Sequence, residues 1–370
     1  MTDARPVIGF ANSNKSWGGG EKWFAEVIEK LSPDFTIKAY VSAGSPLYYR
    51  LSKLTVDIRT VSIGNLSSLN PIKLFRLSRQ LRKDQLNLLI MNMPADVKAI
   101  GIAARIAGIP NRVYRRGSAI PIRNSFVNRW LFKHIVQAMI SNSNATTETI
   151  LANNPLLFPR EKIHLIYNGI DLRLFDEKML QAVDKKVRQP LIIGNAGRIV
   201  HQKGHELIVE LAGLLETKGL DFIIKIAGDG PGLSALKAFV SSKQLDPYFE
   251  FAGFVEHIPS FMSQLDLYIH TAHWEGFGYV LAEAMAASVP VVAFKVSSNF
   301  ELVEDGSTGF LVDYPYISAM ADKVITLHKD PVLCKEMGKK GRRRIEQYFT
   351  LEKMVDQTRK FIDGKIQNTV

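Results

Sequence analysis

Two successive series of short, mostly apolar runs, each run followed by a stretch with helical spacing, limit what this 370-residue chain can become. The first series occupies residues 7–10, 35–41, 56–61, 86–91, 112–115, 138–141 and 163–167. The second occupies 191–195, 222–227, 249–252, 267–271, 291–294 and 310–312. Runs of this kind suit strands covered on both faces, and their alternation with helices predicts parallel, doubly wound α/β sheets. The length exceeds what one core serves, which favours two domains. Residues 172–190 lose the strand pattern, become charged and end at Pro190, so they are expected to be a linker. The expected division is a first domain over residues 1–171, the linker, and a second domain over 191–350.

Cys334 is the single cysteine, which rules out an intrachain disulfide and a thiolate zinc cluster and favours a reducing compartment. No apolar run approaches the ~20 residues that span a bilayer, and the amino terminus lacks a secretory pattern. The chain is therefore expected to be cytoplasmic, or attached to a membrane only at its surface. Charge is uneven. Residues 1–188 hold 28 Lys and Arg against 14 Asp and Glu, a net of +14, and the remainder holds 19 against 22, a net of −3. A basic half fits nucleic acid, anionic lipid or simple solubility. In residues 71–83 the apolar Ile72, Leu74, Phe75, Leu77 and Leu81 alternate with Arg76, Arg79, Arg82 and Lys83. That pattern serves either a basic amphipathic helix on anionic headgroups or an ordinary surface helix with its stripe in the core.

The most specific polar stretch is residues 275–285, in which Glu275 and Glu283 bracket Phe277, Gly278, Tyr279 and Val280 after the strand-like run 267–271. This places a glycine-bounded helix start at a strand's carboxyl end, where open α/β sheets bind ligands and where the first amides of a helix attract a phosphate. Upstream, Arg198 and Lys203 follow the run 191–195. Together they can neutralise a diphosphate, the arginine as a fork and the lysine as a point charge. Gly19 and Gly20, within Gly18-Gly-Gly-Glu21, allow close backbone approach to a ligand before a helix.

In this order these pieces, with Tyr167-Asn-Gly-Ile-Asp171, Ala227-Gly-Asp-Gly230 and Gly253-Phe-Val255, resemble the retaining family 4 glycosyltransferases of GT-B architecture, in which two Rossmann-like domains face a cleft. The resemblance implies transfer of a sugar from a nucleotide diphosphate to a glycan or lipid-linked acceptor, with retention and without a metal or other cofactor. It implies that Glu275 holds donor-sugar hydroxyls and Glu283 the ribose. The diphosphate goes to Arg198, Lys203 and the helix after Gly278, the nucleobase lies near Val255, and a last helix over about 351–364 returns to the first domain. Bacterial envelope polysaccharide or lipopolysaccharide is the expected setting, with no nucleic-acid partner.

The sequence departs from the family in two places. Where members commonly carry a histidine before a glycine, residues 112–117 present Arg116, which cannot act as a base but can hold a phosphate or a sugar oxygen. Asp96 is the alternative first-domain group, either orienting a hydroxyl or serving as a first-turn helix residue. Residues 296–301 lack the usual paired glycines, so Asn299 and Glu301 carry over by position alone. Two rival functions predict different behaviour: a GT-B epimerase converts donor without acceptor, and a non-catalytic basic module binds nucleic acid with strong salt dependence. A phosphorylase would need a pyridoxal-binding lysine context, and none is recognisable.

Overall fold

The structure, a computed structural model, describes residues 5–64, 66–179 and 190–367. It forms two compact units, one built from residues up to Asn168 together with those from Glu352, the other from Gly169–Leu351. Part of the expected linker is helical, Arg173–Met179, and residues 180–189 of it lie outside the described residues.

In the first unit the strands β1 (Val7–Asn12), β2 (Thr36–Val41), β3 (Asp57–Thr60), β4 (Leu88–Met91), β5 (Asn111–Arg116), β6 (Ala138–Ser141) and β7 (Ile163–Leu165) form a parallel sheet in the order β3-β2-β1-β4-β5-β6-β7. Leu88–Met91 and Ala138–Ser141 are buried throughout, as expected of strands covered on both faces. The helix Gly19–Leu31 sets Phe24 edge-on to Phe10 at 5.6 Å. The last helix packs onto this unit: Phe361 meets the His164 ring at 4.8 Å, Asn111 donates to the Lys365 carbonyl at 3.2 Å, and Arg359 pairs with Asp34 at 2.6 Å. The basic helix Pro71–Asp84 sinks Leu77 and Leu81 into the core but leaves Ile72 and Phe75 exposed.

In the second unit β8 (Leu191–Ala196), β9 (Phe222–Ala227), β10 (Phe249–Gly253), β11 (Leu267–His270), β12 (Val291–Phe294) and β13 (Phe310–Val312) pair in parallel in the order β10-β9-β8-β11-β12-β13. Ile193, Ile224, Ile226, Ile269, Val292 and Phe294 are buried in one core. Each sheet reverses its winding at one place, between β1 and β4 in the first unit and between β8 and β11 in the second. The carboxyl ends of strands beside such a reversal are where this fold class opens a crevice.

Glycine packing sets the tightest tolerances. A Cβ on Gly338, in the helix Pro331–Tyr348, would lie 2.1 Å from the Ser288 carbonyl oxygen, whereas one on Gly213, in the helix His205–Thr217, would meet nothing within 4 Å. Gly338→Ala should therefore cost about 1–3 kcal/mol of stability through overpacking, and Gly213→Ala should add roughly 0.5–1 kcal/mol. Urea-unfolding midpoints of the two variants, moving in opposite directions, are the check.

Candidate functional site

In the second unit the polar residues converge on the loops after β8 and β11. The chain leaves β8 through Gly197 and makes the short turn His201–Lys203. It enters the helix His205–Thr217 at Gly204, whose φ is +60°. A Cβ on Gly204 would sit 2.3 Å from the Thr271 carbonyl oxygen, so a glycine there lets the Lys203 turn lie directly on the end of β11. Gly228 has the same function one loop away, where a Cβ would stand 1.9 Å from the Gly197 carbonyl oxygen.

Lys203 Nζ thereby hydrogen-bonds Glu275 Oε1, and His270 Nε2 lies 3.2 Å from the same oxygen. Glu275 and His270 are both buried. Burial pushes the Glu275 carboxyl up, but the Lys203 charge and His270 outweigh it and hold the group at about 2. Glu275 is thus a fixed, ionised acceptor at neutral pH. The Ser298 hydroxyl donates to the Glu275 carbonyl at 3.3 Å and Asn299 Nδ2 to the Phe294 carbonyl at 2.9 Å, so residues 298–299 brace the glutamate loop. Asn299 Oδ1 is buried with no partner among the described residues.

Gly278, at φ +87°, caps the helix Tyr279–Ala286. Phe277 is buried edge-on between Tyr279 at 5.6 Å and Phe349 at 5.8 Å. Glu283 is buried in this helix. Burial first, and then the charges of Glu275 and Glu283, push the Tyr268 phenol up; its hydroxyl meets the Ala196 backbone at 3.3 Å. Arg198 is exposed, Val255 is half-buried in the loop after the edge strand β10, and Glu301 is half-buried in the helix Asn299–Leu302, its carbonyl accepting from Arg344 at 2.9 Å.

The first unit builds a second polar floor at the ends of β1, β4 and β5. Gly19 and Gly20 lie inside the first helical turn, not in a loop ahead of it, and a Cβ on Gly20 would approach Asn92 Nδ2 to 2.7 Å. Asn92 accepts from Arg115 Nη1 at 3.1 Å and Asn168 from Arg115 Nη2 at 3.0 Å, with the guanidinium 4.8 Å over the Trp23 ring. Asn12 donates to Glu21 at 3.0 Å. Arg116 points along another path, to the Tyr114 hydroxyl at 3.2 Å and to the Ile120 carbonyl. Asp96 is fully buried, accepting from the amides of Met93 at 3.0 Å and Ser13 at 3.3 Å, while its Oδ1 has no partner among the described residues. Burial raises its carboxyl to about 6.

Two family models match along the chain, Glycosyltransferase Family 4 over residues 17–174 and Glycosyl transferases group 1 over residues 176–344. The chain belongs to the group 1, family 4 glycosyltransferases. It is similar to the capsular polysaccharide biosynthesis glycosyltransferase CapM of Staphylococcus aureus, 30% identical over 54% of this chain and 55% of that one. It is also similar to the lipopolysaccharide core biosynthesis mannosyltransferase LpsB of Rhizobium meliloti, 33% identical over 51% and 57%. The matches thus span little more than half the length of these curated relatives. The fold is that of GT-B glycosyltransferases such as Anabaena HepE, solved with UDP and glucose, which superposes with a TM-score of 0.82 at 21% identity over 97% of this chain and 100% of that one.

In this glycosyltransferase the residues that sequence reasoning overlooked are His270 and Arg115. His270 ends an otherwise apolar strand, and that single polar residue was the available signal. Arg115 and Arg116 adjoin on β5, so they face opposite sides of the sheet, and nothing local says which turns inward.

Asp96 generates a prediction with a definite sign. Its folded value of about 6 lies above its ordinary 3.8. The native state is therefore favoured while the group stays protonated, and it loses that advantage as pH rises from about 4 to about 6. Asp96→Asn removes the penalty. The stability of the variant relative to the parent should grow by roughly 2 kcal/mol between pH 4 and pH 7, measured by denaturant unfolding at each pH. A pH-independent difference would contradict the assignment.

Proposed function

We propose that the protein transfers a sugar from a nucleotide-diphosphate donor, with retention and without a catalytic metal, to a glycan or lipid-linked acceptor in cell-envelope polysaccharide or lipopolysaccharide assembly. One observation carries the reading: a buried carboxylate held ionised by Lys203 and His270 beside the start of the helix Tyr279–Ala286, at the winding reversal of the second sheet. An ionised carboxylate can only accept hydrogen bonds, which suits sugar hydroxyls. Departure of the diphosphate leaves negative charge that Lys203, Arg198 and the helix start can stabilise in place. Glu283, further along that helix, takes the ribose. Arg115, with its neighbours Asn92 and Trp23, and Arg116 serve the acceptor side. CapM and LpsB, by name a capsular and a lipopolysaccharide enzyme, support the envelope setting.

Melting temperatures in EDTA against UDP, GDP, ADP and CMP and their sugars test the donor, since a ligand of the native state raises the melting point. One nucleotide class should raise it. Glu275→Gln should lower kcat/KM for that donor by about 10²-fold or more. Wild-type turnover in this variant, or activity that EDTA abolishes, would reject the corresponding part of the mechanism.

The same reading includes peripheral attachment to an anionic membrane. No helix among the described residues is long and apolar enough to cross one. Leu66, Leu69, Ile72 and Phe75 are nevertheless all more than 60% exposed, beside the exposed Arg76 and Arg79, and Phe126 and Val127 are exposed beside Arg123 and Arg129. Apolar tips among cations suit a headgroup boundary. Replacing Ile72 and Phe75 by Asp should reduce cosedimentation with phosphatidylglycerol vesicles severalfold at an unchanged melting temperature. Equal binding by the variant would place the contact elsewhere.

A further inference from the structure

A second cluster in the same unit is made of residues that the sugar-transfer reading does not use. His201 lies in the turn after β8, Glu206 in the first turn of the helix His205–Thr217, and His273 in the loop after β11. One nitrogen or oxygen from each lies within 4.8 Å of the others. His273 Nε2 is 2.9 Å and His201 Nδ1 4.0 Å from Glu206 Oε1, and the two imidazole centroids stand 4.6 Å apart.

Ligands of a tetrahedral ion bound at 2.0–2.1 Å lie about 3.3 Å from one another, a separation that these distances bracket. The backbone holds the loops in place. The His273 amide donates to the Gln202 carbonyl at 2.9 Å, Gln202 Nε2 to the Trp274 carbonyl at 3.0 Å, and Thr271 Oγ1 to the Lys203 carbonyl at 3.2 Å. His273 is 12% exposed and edge-on to Tyr314 at 5.5 Å, so its ring is confined; His201 is 79% exposed and able to turn onto an ion. Two imidazoles and a carboxylate suit zinc and its transition-metal neighbours over magnesium or calcium, which prefer oxygen ligands throughout.

We propose that His201, Glu206 and His273 form a binding site for a divalent transition-metal ion of the zinc class, with at least one coordination position open to solvent. The ion lies outside the sugar-transfer chemistry. It ties the turn that carries Lys203 to the loop that carries Glu275, so it stiffens the site without being required for turnover.

The test uses the full chain, stripped with EDTA and dialysed, then titrated with Co²⁺ by visible absorption and with Zn²⁺ by calorimetry and melting temperature. One ion per chain should bind, with a visible band of low-coordinate cobalt and a raised melting temperature. His201→Ala and Glu206→Gln, changes at exposed side chains that the fold tolerates, should each weaken binding about tenfold or more and remove the thermal shift. His328→Ala should bind as the parent does. Several weak ions per chain, or equal affinity in the parent, His201→Ala and Glu206→Gln, would overturn the site.

Discussion

A glutamate buried between a lysine and a histidine fixes the character of the second unit. Taking Glu275 out of water raises its pKa, and taking Lys203 out of water is also unfavourable; the pair persists because each offsets the other's lost hydration and His270 adds a third contact. Such pairs contribute little net stability, but removing one partner leaves a buried charge uncompensated at a cost of about 3–5 kcal/mol. The surrounding backbone is arranged to keep both partners in place. Gly204 allows the lysine turn onto β11, Ser298 holds the carbonyl of Glu275, and Gly278 turns the chain into the helix that carries Glu283. Geometry that would be expensive for stability alone is coherent when the carboxylate must stay ionised for a ligand.

The first unit answers the same topology with different chemistry. At its winding reversal a guanidinium is clamped by two side-chain amide oxygens and covered by an indole, and a carboxylate, Asp96, lies fully buried on two backbone amides. One floor keeps its acid ionised, whereas the other lifts its acid to about 6. Burial raises both carboxyls; at Glu275 the Lys203 charge and the His270 contact outweigh it, whereas at Asp96 the amides of Met93 and Ser13 lower the value too little to offset burial and the like charge of Glu21. Two similar sheets can therefore carry groups with opposite protonation behaviour.

Much of the fold was legible because strands buried on both faces need apolar residues at successive positions. Every apolar run in the two series forms a strand, and Lys203, Gly278 and Glu275 stand where strand ends and helix starts placed them. The rest was hidden for physical reasons. The partners of Arg115 are 23 and 53 residues away, and long-range pairing leaves no local trace. The choice between Arg115 and Arg116 rests on strand parity, which adjacent identical residues conceal. The helical piece Arg173–Met179 escaped because its charged sequence matched a loop as well as a helix. The basic helix showed a limit of a different kind, since both readings of its apolar residues hold in part: Leu77 and Leu81 are core, while Ile72 and Phe75 are surface.

The charge imbalance between the halves gains meaning from these positions. Of the cations clustered in residues 76–83 and 112–133, Arg115 is buried, while Arg76, Arg79, Arg82, Lys83, Arg123, Arg129 and Lys133 are exposed. A cation left at the surface adds little to folding, so the excess is not explained by the core of the first unit. Summed over a face, such charges produce a potential that concentrates anions and decays within a Debye length, roughly 10 Å at 0.1 M salt. In the second unit the cations instead meet nearby acids, Lys203 with Glu275, Lys225 with Glu250, Arg342 with Glu346 and Arg344 with Glu304, and the net charge falls close to zero. Under the proposed function, a unit that holds one small anionic donor would need a local arrangement of this kind, and the exposed cations of the first unit would suit an extended anionic surface.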